Sequence, residues 1–126
     1  MTIPDLERLA MAVRAGAGSL CALEAARELI ISTGWLHRGD FTRFIRTETA
    51  ASGTEVAEID WQAVIRSRDA GQLPCSGGER RVLELAASLA GHRPVILGDA
   101  ITGLDNRSVH VLVRAVLHSS GQRQFP

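Results

Sequence analysis

The 126-residue sequence predicts a mainly α-helical fold: a single compact domain of five or six helices, with room for one short strand pair. Three observations lead to this prediction. Apolar residues recur at every third or fourth position in most segments, which is typical of helices with one buried face. Capping residues precede these segments, and glycines follow them. The length and the 45% content of apolar residues suit one domain, over 1–126, with its own core.

The N-terminal part, 4–33, is predicted to be an antiparallel pair of helices. Pro4 suits the first turn of the first helix, and Gly16 suits its end. Ser19 is the candidate cap of the second helix, which is predicted to end at Gly34. Apolar side chains follow helical spacing in both segments: Leu6, Leu9, Ala10 and Val13, then Leu20, Leu23, Ala26, Leu29 and Ile30.

A linking helix and loop are predicted over 35–58, with Trp35 and the leucine after it as core anchors. Asp40 can cap a short helix here. The alternative is a strand over Thr42–Thr47, which the Thr and Phe content permits. The small and polar segment Thr49–Glu58 is predicted to be a loop. The apolar face of the short helix would be formed by Phe41, Phe44 and Ile45.

The C-terminal part, 60–119, is predicted to be a helical core. Asp60 caps a short helix that carries Trp61 and two further apolar residues inward. Ser76 and Glu79 have the spacing of a capping box, in which each side chain accepts a hydrogen bond from the other residue's backbone N–H. We therefore expect a helix that starts after Ser76.

The last predicted helix starts after Asp105, and a short β-branched segment, Val95–Leu97, precedes it. That segment suits either one buried strand or an extended connector. The last helix is apolar over most of its circumference, so we expect it to be the central helix of the fold. Its apolar residues are Val109, Val111, Leu112, Val113, Val116 and Leu117.

The charges and cysteines narrow the possible functions. The formal net charge is zero, and all fourteen basic residues are arginines, so no lysine can act on nucleotide phosphates or form a Schiff base. Cys21 and Cys75 make no disulfide framework. The N-terminus shows no signal-peptide pattern, and no segment suits a membrane span. These features favour a cytoplasmic protein with reduced thiols.

The sequence shows no residue spacing that is typical of a catalytic or metal-binding motif. The histidines show no HExxH or comparable arrangement, and no serine lies in a nucleophile elbow. Cys75 precedes a predicted helix, a position that can activate a thiol, but packing as a small apolar residue is the expected role. The sequence therefore predicts a protein that is not an enzyme, with no catalytic residue, metal ion or cofactor. The histidines are His37, His92, His110 and His118.

A group of arginines near aromatic residues offers a candidate nucleic-acid patch. Arginines beside aromatic rings can contact phosphates and bases. The alternative is a solvent-exposed helix face over a buried pair of rings. The candidate patch consists of Arg38, Arg43, Arg46, Arg66 and Arg68.

The segment 76–105 resembles the stretch of ABC-type ATPases between the signature motif and the D-loop. The resemblance rests on Ser76-Gly77-Gly78-Glu79, the helix after it, Val95–Leu97 and Gly103-Leu104-Asp105. In that family the Ser-Gly-Gly turn binds a γ-phosphate held by the partner subunit. The resemblance implies a candidate anion-binding turn formed by Ser76, Gly77, Gly78 and Glu79.

The chain departs from the ABC pattern where catalysis would require a match. Gly98 takes the place of the Walker B aspartate, and Asp99 takes the place of the catalytic glutamate. A Walker A lysine is impossible in a chain without lysine. The turn is therefore expected to be at most a vestigial phosphate-binding site.

The C-terminal half is also similar to small uncharacterised actinobacterial proteins, which implies a compact unit and no particular activity. The apolar surface of the last helix, Val109–Leu117, exceeds what a small isolated domain needs. The leading hypothesis is therefore a non-enzymatic module that binds a protein partner or itself. The alternatives are a nucleic-acid-binding accessory protein that uses the arginine patch, and the vestigial phosphate-binding turn.

Overall fold

The helix α2, Cys21–Ser32, lies at the centre of the fold, and the other elements are arranged around it. The protein is represented by a computed structural model that describes residues 3–18 and 20–121. The elements in chain order are α1 (Ile3–Gly16), α2, a 3₁₀ turn (Trp35–His37), α3 (Gly39–Thr42), β1 (Ile45–Thr49), β2 (Glu55–Ile59), α4 (Trp61–Asp69), α5 (Gly77–Leu89), α6 (Leu97–Ile101) and α7 (Asn106–Ser119).

The predicted fold class is confirmed: the chain is mainly helical, with one short antiparallel strand pair. The described residues contain seven α-helices rather than five or six, because α6 is an additional helix of only five residues. None of the helices in this part of the chain is long and apolar enough to cross a membrane.

The prediction that the last helix is central was wrong. Both α5 and α7 pack against α2, and α1 packs against β2. The alanines Ala25 and Ala26 of α2 are fully buried, and such small side chains let neighbouring helices approach closely. In contrast, α7 buries only Leu112 and Ala115, so it covers α2 with one face and leaves its opposite face to solvent.

The predicted core anchors are confirmed. Trp35 and Leu36 are buried in the 3₁₀ turn, and the Trp35 ring lies against the ring of Phe41, with 5.4 Å between the ring centroids and a tilt of 57°. Tilted aromatic pairs at this distance are favourable. The largest fully buried side chains are Trp35, Phe41, Leu29, Ile30, Val13 and Val64.

The predicted loop over 49–58 is confirmed only over 50–54, because Thr49 belongs to β1 and residues 55–59 form β2. The strand that pairs with β2, β1, was predicted in part by the alternative of a strand over 42–47. The helix α3 ends at Thr42, before Phe44 and Ile45 of the expected apolar face. Ile45 pairs with Ile59. Alternating side chains place Ala57 and Ile59 in the core, a pattern of period two that the polar neighbours conceal in the sequence.

The segment 95–97 is a connector rather than a strand. Val95 and Ile96 belong to no strand, the backbone of Ile96 is extended, and Leu97 begins α6. Pro94, just before, has no backbone N–H for a strand ladder, and the backbone carbonyl of Ile96 accepts a hydrogen bond from Ala100. Local helical bonding therefore satisfies this backbone.

Three predicted helix caps are confirmed, and one was wrong: α3 begins at Gly39 after Arg38, with no side-chain cap, and Asp40 lies inside the helix, where its carboxylate accepts hydrogen bonds from Arg38. Asp60 accepts a hydrogen bond from the Ala63 backbone N–H, and Asp105 accepts one from Ser108. Ser76 caps α5 as predicted. Ser19, the predicted cap of α2, lies outside the described residues.

The end of α1 approaches β2 closely at Gly16. Arg27, which is 4% exposed, fills the space beside it. Its Nη1 donates to the backbone carbonyls of Val13 and Ala57, at 2.8 and 2.7 Å, and its Nη2 contacts the Glu58 carboxylate at 3.2 Å. One buried guanidinium thus joins α1, α2 and β2.

Candidate functional site

The α7 outer face, which we define as Val109, Val113 and Val116, is a stripe of exposed apolar side chains on one helix. These valines expose 39%, 42% and 50% of their surfaces. Their i, i+4, i+7 spacing places them in one stripe along the helix. Leu112 and Ala115 are buried on the neighbouring face, since Leu112 lies one turn from both Val109 and Val116, so the apolar surface of α7 continues from the core to the exposed stripe.

A second group of exposed apolar residues lies on α6 and the connector before it. Ile96, Leu97 and Ile101 are all exposed, while Ala100 of the same short helix is buried. Only residues 102–105 separate α6 from α7 in the chain. Two consecutive helices therefore present apolar side chains to solvent.

The first member of the predicted arginine patch, Arg38, is surrounded by acceptors. Its guanidinium donates to both carboxylate oxygens of Asp40, at 3.0 and 2.6 Å, and to the backbone carbonyl of Pro74. It also contacts Glu79 and lies 4.6 Å from the centre of the Trp35 ring. The hydrogen bonds between Arg38 and Asp40 raise the pKa of Arg38 and lower the pKa of Asp40. Arg38 thus links the start of α3 to the backbone before α5 through its hydrogen bonds to Asp40 and Pro74.

The other patch residues are dispersed around the strand pair and α4. Arg68 contacts Glu84 and Asp69, so its charge is also compensated. Arg43 lies over the Phe44 ring and donates to the hydroxyl of Ser67 at 3.2 Å, which brings it beside α4. In addition, Arg46 on β1 faces Glu58 across the strand pair, and Arg66 is exposed on α4.

The candidate anion-binding turn is occupied by its own carboxylate. The Ser76 backbone N–H donates to Glu79 Oε1 at 2.9 Å, and the Glu79 backbone N–H donates to Ser76 Oγ at 3.1 Å. Gly77 and Gly78 form the first turn of α5 beside this box. Donation from the Ser76 backbone lowers the pKa of Glu79, so its negative charge lies where a phosphate would bind.

The starts of α5 and α7 face the same cavity of about 190 Å³, which Trp35 and Arg107 also line. At the start of α7, the backbone of Ser108 lowers the pKa of Asp105 in the same way. The cavity therefore has two carboxylates at its two helix starts, and a second anion would meet their repulsion.

We expect the Ser76→Ala variant to lose about 1 kcal/mol of unfolding free energy, because it removes one partner of the capping box. Because the pKa of Glu79 is lower in the folded protein, its ionised carboxylate stabilises the fold at pH values above its ordinary pKa of 4.5. This contribution is lost as the pH falls through the folded pKa. Urea unfolding at pH 7 and pH 3 measures both effects. Equal stability of the variant and the wild type at pH 7 would contradict the role of the box.

Arg81 lies between the two parts of the ABC-like pattern. A Cβ on Gly77 would be 3.1 Å from Arg81 Nη1, and a Cβ on Gly103 would be 3.3 Å from the same atom. The guanidinium thus fills the gap between the signature-like turn and the D-loop-like turn. Gly98 and Asp99 lie in α6 rather than at the end of a strand, so the Walker B geometry is not formed.

A basic pocket of about 390 Å³ opens between α5 and α6. Arg93 there forms a two-pronged ion pair with Asp69, at 2.9 and 3.0 Å. Arg80 and Arg81 contribute two further positive charges, and Glu84 and Asp99 contribute negative charges. The sequence did not single out this pocket, because its arginines are brought together by the turn before α6.

The two cysteines have different surroundings. Cys75 is half-buried against the core, and burial raises the pKa of its thiol, which agrees with a packing role. Cys21 begins α2 and lies beside Glu24 and His118. One donor atom from each of these three residues lies within 4.8 Å of the other two. Spacing could not reveal this cluster, since His118 comes from α7 and only Cys21 and Glu24 share a helix turn.

No protein-family model, curated protein or solved structure matches the chain. The resemblances to ABC-type ATPases and to small actinobacterial proteins therefore stay predictions, as does nucleic-acid binding by the arginines.

Proposed function

We propose that the protein is a non-enzymatic interaction module, and that the α7 outer face packs against a second copy of the chain. The observation that carries this proposal is the stripe of Val109, Val113 and Val116, which is exposed although the neighbouring Leu112 and Ala115 of the same helix form part of the core. Contiguous apolar stripes on a small protein are typical of binding surfaces.

The choice of valine strengthens this argument. A β-branched side chain loses rotamer freedom in a helix, which costs up to about 0.7 kcal/mol per residue relative to alanine. Exposed valines on a helix also leave apolar surface in water. Three such residues in line are unfavourable for an isolated monomer, whereas a covering surface would recover the burial energy.

A second copy is the occupant that this stripe suits best. In a two-fold dimer the same patch packs against itself, so it must be self-complementary. Valines carry no charge, so the dimer axis would bring no like charges together at Val113. The straight i, i+4, i+7 stripe also matches the surface by which two helices pack along each other.

We expect the wild-type protein to dimerise and the Val113→Glu variant to be monomeric, because a buried glutamate pair would be both desolvated and repelled. Size-exclusion chromatography with light scattering over a range of concentrations measures the mass. Gln62→Glu is the matched control, since it adds the same charge at an exposed position of α4. A wild-type protein that stays monomeric at every concentration, or a dimeric Val113→Glu variant, would refute the proposal.

A further inference from the structure

The geometry points to a transition-metal site of the zinc type, formed by Cys21, Glu24 and His118, that joins the start of α2 to the last turn of α7. This inference is independent of the proposed association through the α7 outer face. The three residues supply one thiol sulfur, one carboxylate oxygen and one imidazole nitrogen. These are the three ligand types found in protein zinc sites.

The distances between the donor atoms suit a single ion. Nε2 of His118 lies 3.3 Å from Oε2 of Glu24. Two nitrogen or oxygen ligands of a tetrahedral zinc ion are about 3.3–3.5 Å apart, because each bond is about 2.0–2.2 Å long. The sulfur of Cys21 belongs to the same group, in which all three atoms are within 4.8 Å of one another. Small rotations of side chains would complete the coordination.

The backbone holds two of the ligands in register. Cys21 and Glu24 are separated by three positions on α2, so their side chains emerge from the same side of its first turn. His118 approaches from α7, which packs along α2. A site built from two packed helices is more rigid than one built from a loop.

The imidazole of His118 provides a second and independent indication. Its Nε2 is buried, and no hydrogen bond from the described residues reaches it, although the Glu24 carboxylate is near. A buried nitrogen that makes no hydrogen bond is unfavourable, and the contact with Glu24 is an ion pair only when the imidazole is protonated. A bound ion would give this nitrogen its partner. The side chains of His118 and Glu24 remain 28% and 25% exposed, so an ion can enter from solvent.

The donor set selects among ions. A thiolate with an imidazole favours Zn²⁺ or Co²⁺, while Mg²⁺ and Ca²⁺ prefer oxygen ligands throughout. On binding, the thiol of Cys21 releases its proton to solvent and forms the metal–sulfur bond. Thiolate and carboxylate together then balance the two positive charges of the ion. Three protein ligands leave the fourth position of a tetrahedral ion to water.

The test uses Co²⁺, which reports both geometry and sulfur ligation through its absorption spectrum. Full-length, tag-free protein is treated with a chelator, exchanged into clean buffer and titrated with Co²⁺ under reducing conditions. We expect a thiolate-to-cobalt charge-transfer band that saturates at one ion per chain, together with the visible bands of tetrahedral cobalt. Added Zn²⁺ should abolish both.

Variants assign the ligands. Cys21→Ser should remove the charge-transfer band, and His118→Ala should weaken binding by at least tenfold. Cys75→Ser and His110→Ala are the matched controls, since each changes a residue of the same type outside the cluster, and both should titrate like the wild type. Circular dichroism of the metal-free variants shows whether they are folded.

Thermal unfolding gives a readout that does not depend on colour. Zn²⁺ should raise the melting temperature of the wild type and of both controls, and it should not raise that of Cys21→Ser. Absence of the charge-transfer band in the wild type would overturn the inference. The inference would also be overturned if the charge-transfer band persists in Cys21→Ser or is lost in Cys75→Ser.

Discussion

Replacing Gly16 with alanine is expected to destabilise the protein by about 3 kcal/mol, the upper end of the usual range for a side chain forced into a packed site. A Cβ at this position would lie 2.0 Å from the backbone carbonyl oxygen of Ala57 and 2.4 Å from Nη1 of Arg27. Neither neighbour can move easily, because the carbonyl belongs to β2 and the guanidinium is held by hydrogen bonds. The end of α1 would have to separate from the strand pair.

Gly98→Ala is the matched control for this substitution. Gly98 lies in α6, and a Cβ there would meet no atom within 4 Å. Alanine favours helix over glycine by about 0.5–1 kcal/mol, so this variant should be as stable as the wild type or slightly more stable. Urea unfolding followed by tryptophan fluorescence compares the two. Similar effects of both substitutions would show that α1 does not depend on its close approach to β2.

Arg27→Met is expected to cost about 3–5 kcal/mol, even though methionine fills a comparable volume. Two buried carbonyl oxygens, those of Val13 and Ala57, would lose their donor. An unsatisfied buried acceptor costs about 1–3 kcal/mol, so the two carbonyls account for most of the effect. Urea unfolding measures the change.

Two controls separate the hydrogen bonds to carbonyls from the ion pair. Glu58→Gln removes only the ion pair of Arg27, and the Glu58 side chain is 54% exposed, so we expect a small effect. Arg8→Met removes a surface ion pair with Glu55, in which the Arg8 side chain is 73% exposed, and should leave the urea midpoint nearly unchanged. A loss in Glu58→Gln as large as that in Arg27→Met would contradict this assignment.

The caps and the buried aromatic residues could be predicted because their causes are local. Ser76 and Glu79 lie three positions apart, and a helix start is determined within that distance. Asp60 and Asp105 follow the same rule, and both cap their helices. The excess of apolar residues in the last helix was also visible in the sequence, although the sequence did not show which of them are exposed.

The features that were missed depend on contacts between distant parts of the chain. The strand β2 is half polar, and only its pairing with β1 makes Ala57 and Ile59 a core face. An apolar helix can be central or can have an uncovered outer side, and sequence alone does not distinguish the two for α7. The cluster of Cys21, Glu24 and His118 likewise exists only because α7 returns to the start of α2.

The packing of α7 on α2 has a consequence for synthesis of the chain on the ribosome. α2 is made early, whereas α7 is the last of the described helices to be translated. Until α7 emerges from the exit tunnel, the side of α2 that it covers has only solvent or other proteins as neighbours. Contacts of such wide sequence separation slow folding. The nascent protein must therefore keep part of its central helix unprotected from the synthesis of α2 until α7 has emerged.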